Sequence, residues 1–212
     1  MTVAQSESGR GAHARIDRGE VVRTAMAILR EDGLPGLTMR RLATTMSVDP
    51  AAFYHHFRDK AAIVRAVGRA ALAEIDIPPE DGYASWREWV VEIGGNYRAV
   101  LLAHPYLCAL IVDGDVPWTS LPVYAAERRH LSAEGIPDEL HHGLMETVHC
   151  YVLGASIMHA KQSHSRAEAA AAEQLFELGL RALLDGLVER LRSRRTPVAD
   201  PGAADRAPSE LP

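Results

Sequence analysis

GLPGLTMRRLATTMSVDPAAFYHHFRDK, residues Gly33 to Lys60, is the stretch that decides how this chain is read. Thr38 stands just ahead of a helical run, where its hydroxyl can accept from an orphan backbone N–H. Leu37, Leu42, Met46 and Val48 supply that run with an inner face. Ser47-Val48-Asp49 then breaks it. Asp49 is a favoured N-cap, and Pro50 occupies the first helical position, where a missing N–H costs nothing. The helix so opened is short, from Pro50 to about His56. Phe53 and Phe57 lie four apart and share its inner face. Pro50, Ala51, Ala52, Tyr54, His55 and His56 are left near the surface. Asp59 caps again and Lys60 opens the next helix. Two short helices joined by a tight turn, the second exposed, are what a protein needs to lay a rod in the DNA major groove. A helical hairpin that merely packs is the competing interpretation.

The distribution of charge agrees with a DNA reader. The chain has 212 residues and a formal charge of −5, so it carries no uniformly basic coat. From Arg10 to Ala70 there are 11 Lys and Arg against 6 Asp and Glu, and the remainder holds 12 against 22. A basic head on an acidic body suits phosphate binding at one end and repulsion from DNA at the other.

The residues Gly36-Leu37-Thr38-Met39-Arg40-Arg41-Leu42-Ala43, Val48 to Phe57, and Asp59-Lys60 resemble the TetR family of transcriptional regulators. The resemblance implies an all-α fold: an N-terminal three-helix, helix-turn-helix DNA-binding domain and a C-terminal helical regulatory and dimerisation domain. It implies a homodimer paired through its last two long helices, a palindromic double-stranded operator, and a small hydrophobic or aromatic effector that releases the DNA. Tyr54 and His56 match positions that contact phosphate or bases. Lys60 matches a phosphate-contacting lysine, and a cation at a helix N-terminus makes a good phosphate clamp. Thr38 and Arg40 match positions that touch the backbone or a base edge, and Arg40 is suited to a bidentate contact with guanine. Pro50, Ala51 and Ala52 match the variable specificity positions. Being small and apolar, they can meet thymine methyls, which shifts sequence reading toward Arg40, Tyr54 and His55. An effector-independent architectural or global DNA-binding protein is the alternative function. No nucleophile–base pair, phosphate loop or paired-carboxylate signature points to an enzyme, and no cofactor is expected.

Around the motif the chain divides into an arm (1–14), the DNA-binding domain (15–60), a ligand-binding and dimerisation domain (61–195) and a tail (196–212). The arm and the tail are polar or Pro/Ala-rich and expected to be disordered. The arm is either a DNA-touching extension, with Arg10 and Arg15, or a solvated leader. Asp17 with Glu20, Ser85 with Glu88, and Ser165 with Glu168 form capping boxes at three helix starts. Gly33 stops the first helix. A helix from Lys60 to about Ile75 connects head to body, and Pro78 to Gly82 breaks the chain after it. Later helices start at Pro105, Pro122 and Pro137. Phe176, Leu180, Leu183, Leu184, Leu187 and Leu191 stripe the last one. Gly154, Ala155, Ser156 and Ala160 on the penultimate helix suit either a close partner helix or packing within the monomer.

The resemblance also places an effector cavity among the middle helices. Trp89, Ile93, Tyr97, His104 and Tyr106 come from its first half; Trp118, Tyr124, Met145, His149 and Met158 come from its second. Aromatics with a few polar tips suit a drug-sized ligand, while filling of the core is the alternative for each. Tetracycline repressors hold a magnesium chelate with histidine and glutamate. Ile111 and Met158 stand at two of those positions and cannot ligate, which argues against a metal-tetracycline site. His141, His142, His149, His159 and His164 show no zinc spacing, so no metal is expected. Cys108 and Cys150 read as reduced thiols of a cytosolic protein, with a disulfide between them left open. No signal peptide or membrane span is apparent, so a cytoplasmic location is expected.

Overall fold

A computed structural model of the chain describes residues 16–79, 82–117, 119, 123–133, 135–160 and 165–195. The fold is all-α, as expected. Among the described residues there are eight α-helices and one short 3-10 helix, and no strand. The helices are α1 (Arg18–Gly36), α2 (Met39–Met46), α3 (Lys60–Leu72), α4 (Trp86–Ala103), α5 (Tyr106–Val112), α6 (Tyr124–Ala133), α7 (Asp138–Ala160) and α8 (Arg166–Arg195). The 3-10 helix, Pro50–His55, lies between α2 and α3. The expected arm and tail, with Arg10, Arg15, Trp118 and His164, lie outside the described residues.

The capping residues form the bonds their positions suggest. Asp17 accepts from the Glu20 N–H at 3.1 Å, Thr38 from Arg41 at 3.1 Å, Asp49 from Ala51 at 2.7 Å and Asp59 from Ala62 at 2.7 Å. The Ser165–Glu168 box is reciprocal: the Ser165 N–H donates to Glu168 at 2.7 Å and the Glu168 N–H to the serine hydroxyl at 3.3 Å. In the Ser85–Glu88 box the glutamate reaches one residue further back, to the Ala84 N–H. Gly33 breaks α1 with φ 64° and ψ −168°, a conformation costly for any side chain, and one further turn follows to Gly36. α3 ends at Leu72, short of Ile75.

α1, α2, the 3-10 helix and α3 form the head; α4, α7 and α8 pack mutually to form the centre of the body. Tight crossings hold the body. A Cβ on Gly94 of α4 would come within 2.6 Å of Leu180 of α8, and one on Gly179 would strike the Tyr151 hydroxyl of α7. One continuous apolar core runs from Val21 and Phe53 in the head to Leu107 and Leu180 in the body. Gly68 of α3 makes the joint: a Cβ there would collide with Val116, beyond α5.

Arg98 is almost fully buried on α4, an unusual place for a guanidinium. It pairs with Glu173 of α8, lies 3.1 Å from His159 of α7, and covers the Phe176 ring. The small residues of α7 divide: Ser156 is wholly buried and donates to the Val152 carbonyl, whereas Gly154 and Ala160 are exposed. Cys108 is buried and Cys150 exposed, and both are free thiols.

Candidate nucleic-acid interface and inner cavity

The reading segment is held from behind. Phe53 is fully buried and Phe57 nearly so, with the Arg18 guanidinium 4.8 Å from the Phe57 ring centroid. Anchoring these two rings turns the remaining residues outward. Pro50, Ala51, Tyr54, His55 and His56 are exposed and Ala52 is half-buried. Tyr54, at 60% exposure, is the most conspicuous, since a phenol ring left in water has no packing reason to be there. Thr38 and Arg40 at the start of α2, and Lys60 at the start of α3, are also exposed.

Neighbouring charges separate Arg40 from Arg41. Arg41 is tied into α1 by ion pairs to Asp32 and Glu31. Arg40 and Lys60 meet no carboxylate among the described residues, so both cations remain available for phosphate or a base edge. At the start of α3, however, Asp59 already occupies the Ala62 N–H. Lys60 therefore offers its own charge rather than a fully open helix terminus.

The expected effector residues do not form a single set. Ile93, Tyr97, Tyr124, Met145 and His149 line one cavity between α4, α6 and α7. The Tyr97 hydroxyl and His149 Nδ1 are hydrogen-bonded at 3.3 Å, and the rings stack 5.8 Å apart. Burial lowers the His149 pKa to about 4 and raises that of Tyr97, so both are neutral near pH 7.

The other described candidates lie elsewhere. Trp89 is a core anchor: its indole N–H donates to the Pro78 carbonyl at 3.0 Å, fixing the segment between α3 and α4. His104 and Tyr106 sit at the junction of head and body. His104 Nε2 donates to Glu74 at 2.7 Å, and its Nδ1 accepts from the Tyr106 hydroxyl at 3.1 Å. Arg30 of α1 approaches the same Glu74 at 3.9 Å. Burial pushes the Tyr106 pKa up to about 12. Met158 points outward at 60% exposure on the α7–α8 face, with Leu175 and Leu178 also exposed. Its helix does line the cavity, which is why the sequence suggests it as a wall residue, but it occupies that helix's outer side.

Sequence reasoning missed Glu127, which lines both the first cavity and a second one bounded by Trp86, Leu131, Leu144 and Leu184. Burial raises its pKa to about 7. The signal was present: Val123, Glu127 and Leu131 recur every four residues, which places an acid on the apolar stripe of α6. Each cavity measures about 20 Å³, room for one water.

An exposed, partly cationic reading segment on an all-helical body defines a helix-turn-helix DNA-binding protein. Residues 21–67 match the profile described as bacterial regulatory proteins, tetR family. The chain is similar to the Mycobacterium smegmatis protein BioQ, with 30% identity, 81% of this chain and 98% of that one covered, and a TM-score of 0.68. BioQ has also been solved with its double-stranded DNA operator. A single-substitution variant of the TetR protein of Acinetobacter baumannii AYE, in complex with minocycline, gives 28% identity, 84% and 98% coverage and a TM-score of 0.70. The class A tetracycline repressor of Escherichia coli is 36% identical over 93 residues, which span 42% of each chain. The chain belongs to the TetR family of DNA-binding transcriptional regulators. Among the described residues, no helix is long and apolar enough to cross a membrane.

Proposed function

We propose that the chain is a cytoplasmic repressor that binds a palindromic operator as a homodimer and releases it when a small apolar or aromatic effector enters the body. The observation that carries this is the outward set Arg40, Tyr54, His55, His56 and Lys60, displayed around a segment pinned by Phe53 and Phe57. Thr38 adds a backbone contact, while Pro50, Ala51 and Ala52 meet base edges by apolar contact. The exposed apolar residues Met158, Leu175 and Leu178 support pairing through α7 and α8. Such pairing has to place two reading segments about 34–36 Å apart to enter successive major grooves.

Ile93, Tyr97, Tyr124, Met145 and His149 support an effector site, since aromatic and aliphatic walls surround a few polar tips. The cavities as they stand admit only water, so an effector has to displace side chains. Met145, with three rotatable bonds, is suited to give way. Binding energy used to open the body is then available to shift the heads.

The test begins with selection of bound duplexes from a random pool, followed by gel shift. Tyr54→Ala and Lys60→Ala should each weaken binding to the selected sequence, with helicity by circular dichroism unchanged. Affinity equal to that of the parent protein would remove these residues from the interface. Release of the duplex by a small molecule, with the fold intact, separates a regulated repressor from an effector-independent architectural protein.

A further inference from the structure

Glu127 is an acid on an otherwise apolar stripe, and that stripe closes on the other helices of the body. Its carboxyl lines both inner cavities. The residue is half-buried, no cation or hydrogen-bond donor meets it among the described residues, and desolvation is what perturbs it. Among the described residues that line the cavities none is a lysine or arginine; the Arg87 guanidinium of α4 lies 5.0 Å from the Trp86 ring centroid and pairs with Asp185 of α8. α4 presents Tyr97, α7 presents His149, and α6 itself adds Tyr124. His149 is neutral, and its Nδ1 is already hydrogen-bonded to Tyr97. α8 contributes only Leu184, Leu187 and Val188. A second polar group on the same walls is also unsatisfied: the Trp86 indole nitrogen is buried with no acceptor. One apolar space thus presents an unpaired acid and an unpaired donor.

We infer that the effector is a basic amphiphile, an apolar body of aromatic size carrying one amine-type cation that pairs with Glu127. This rests on the proposed effector site and specifies its chemistry. A partly desolvated carboxylate without a counter-ion is costly, and a guest that brings the cation removes that cost. A neutral guest leaves the carboxyl unpaired. An anionic guest meets like charge, and no lysine or arginine is among the described lining residues to compensate it. An ether or carbonyl oxygen near the amine would also satisfy the Trp86 N–H.

Three size-matched probes test the inference: naphthylmethylamine, naphthalenemethanol and naphthoate, titrated at millimolar concentrations by calorimetry without DNA. The amine should bind about tenfold more tightly than the alcohol, the scale of a desolvated charge-assisted contact. Naphthoate should bind most weakly. The amine's advantage should grow as pH rises through about 7, as the Glu127 carboxyl ionises. In E127Q the amine and alcohol should bind alike. Equal binding by amine and naphthoate, an amine preference that survives in E127Q, or no binding by any probe would each overturn the inference. If E127Q fails to fold, the wild-type ranking and its pH dependence still decide. Failure of the repressor function looks different: the amine would bind through Glu127 and leave the operator complex intact. Conversely, operator release by a neutral compound indifferent to Glu127 would keep the repressor and discard the basic effector.

Discussion

Replacing Glu127 with glutamine should alter how stability depends on pH. Burial lifts the Glu127 carboxyl from an ordinary 4.5 to about 7. Each pH unit of that interval carries about 1.4 kcal/mol, so the whole comes to about 3 kcal/mol. The sign follows from proton counting. Between the two values the folded chain holds a proton that the unfolded chain has lost, so stability falls as pH rises. Below about 4.5 both states are protonated and the penalty is absent; above about 7 both are ionised and it is complete. Glutamine preserves the size and never ionises. Relative to the variant, the parent protein should lose about 3 kcal/mol between about pH 4 and about pH 8. Urea unfolding at fixed protein concentration and ionic strength measures this as paired midpoints. His149 acts in the opposite direction: its pKa is lowered to about 4, so its contribution is lost as pH falls below its ordinary 6.5. It is present in both proteins and cancels in the difference. A difference flat to within about 1 kcal/mol would refute the claim that the acid is held away from water and countercharge.

Three further variants test the head, the joint and the outer face. Lys60→Ala should weaken DNA binding evenly across sequences and reduce the slope of log affinity against log salt by about 1; an unchanged slope in gel shifts over a salt series would exclude a phosphate contact. Gly68→Ala should destabilise the fold by about 1–3 kcal/mol in urea, because the added methyl meets Val116 where α3 crosses the α5 end; a neutral result would contradict that close approach. Leu175→Glu combined with Leu178→Glu should yield a folded monomer by sedimentation, since both side chains are exposed in the single chain; a persistent dimer would move the pairing surface elsewhere.

The head was legible in the sequence because its determinants are local. Each cap lies two or three residues from the N–H it binds, and Phe53 and Phe57 share a face by spacing alone. The cavity was legible only in part. The family resemblance assigns Trp89, His104 and Met158 to the helical body around the cavity, but the sequence does not show which side of each helix meets which neighbour. That is set by crossings such as Gly94 against Leu180, over 80 residues apart in the chain. His104 illustrates the difficulty. Its partners are Glu74, just past the end of the connector, and Tyr106, the first residue of the next helix. Only the tertiary arrangement turns a candidate ligand-binding histidine into a junction residue. Glu127 had a local signal, an acid inside a four-residue apolar repeat, which composition-based scanning for aromatics passes over.

The junction bears directly on how a change in the body could reach the DNA. α3 touches the body at two places of different character. Gly68 packs without clearance against Val116 and near Leu110, so sliding along that contact is sterically opposed. Two residues past the helix end, Glu74 is held by His104 of the body and lies near Arg30 of the head. A close-packed contact and a polar one, six residues apart about the C-terminal end of a 13-residue helix, tie that end to the body and leave the Lys60 end to swing as a lever. α4 carries both Tyr97, on the cavity wall, and His104, at its C-cap. If an effector pushes α4 outward at Tyr97, His104 moves with it and pulls on Glu74. His104→Phe should therefore leave the apolar packing in place and uncouple the body from the head: effector binding by calorimetry should persist while effector-driven release of the operator is weakened. Equal loss of binding and release would mean that His104 supports the cavity itself, and full release would mean that the signal travels through Gly68 and Val116 alone.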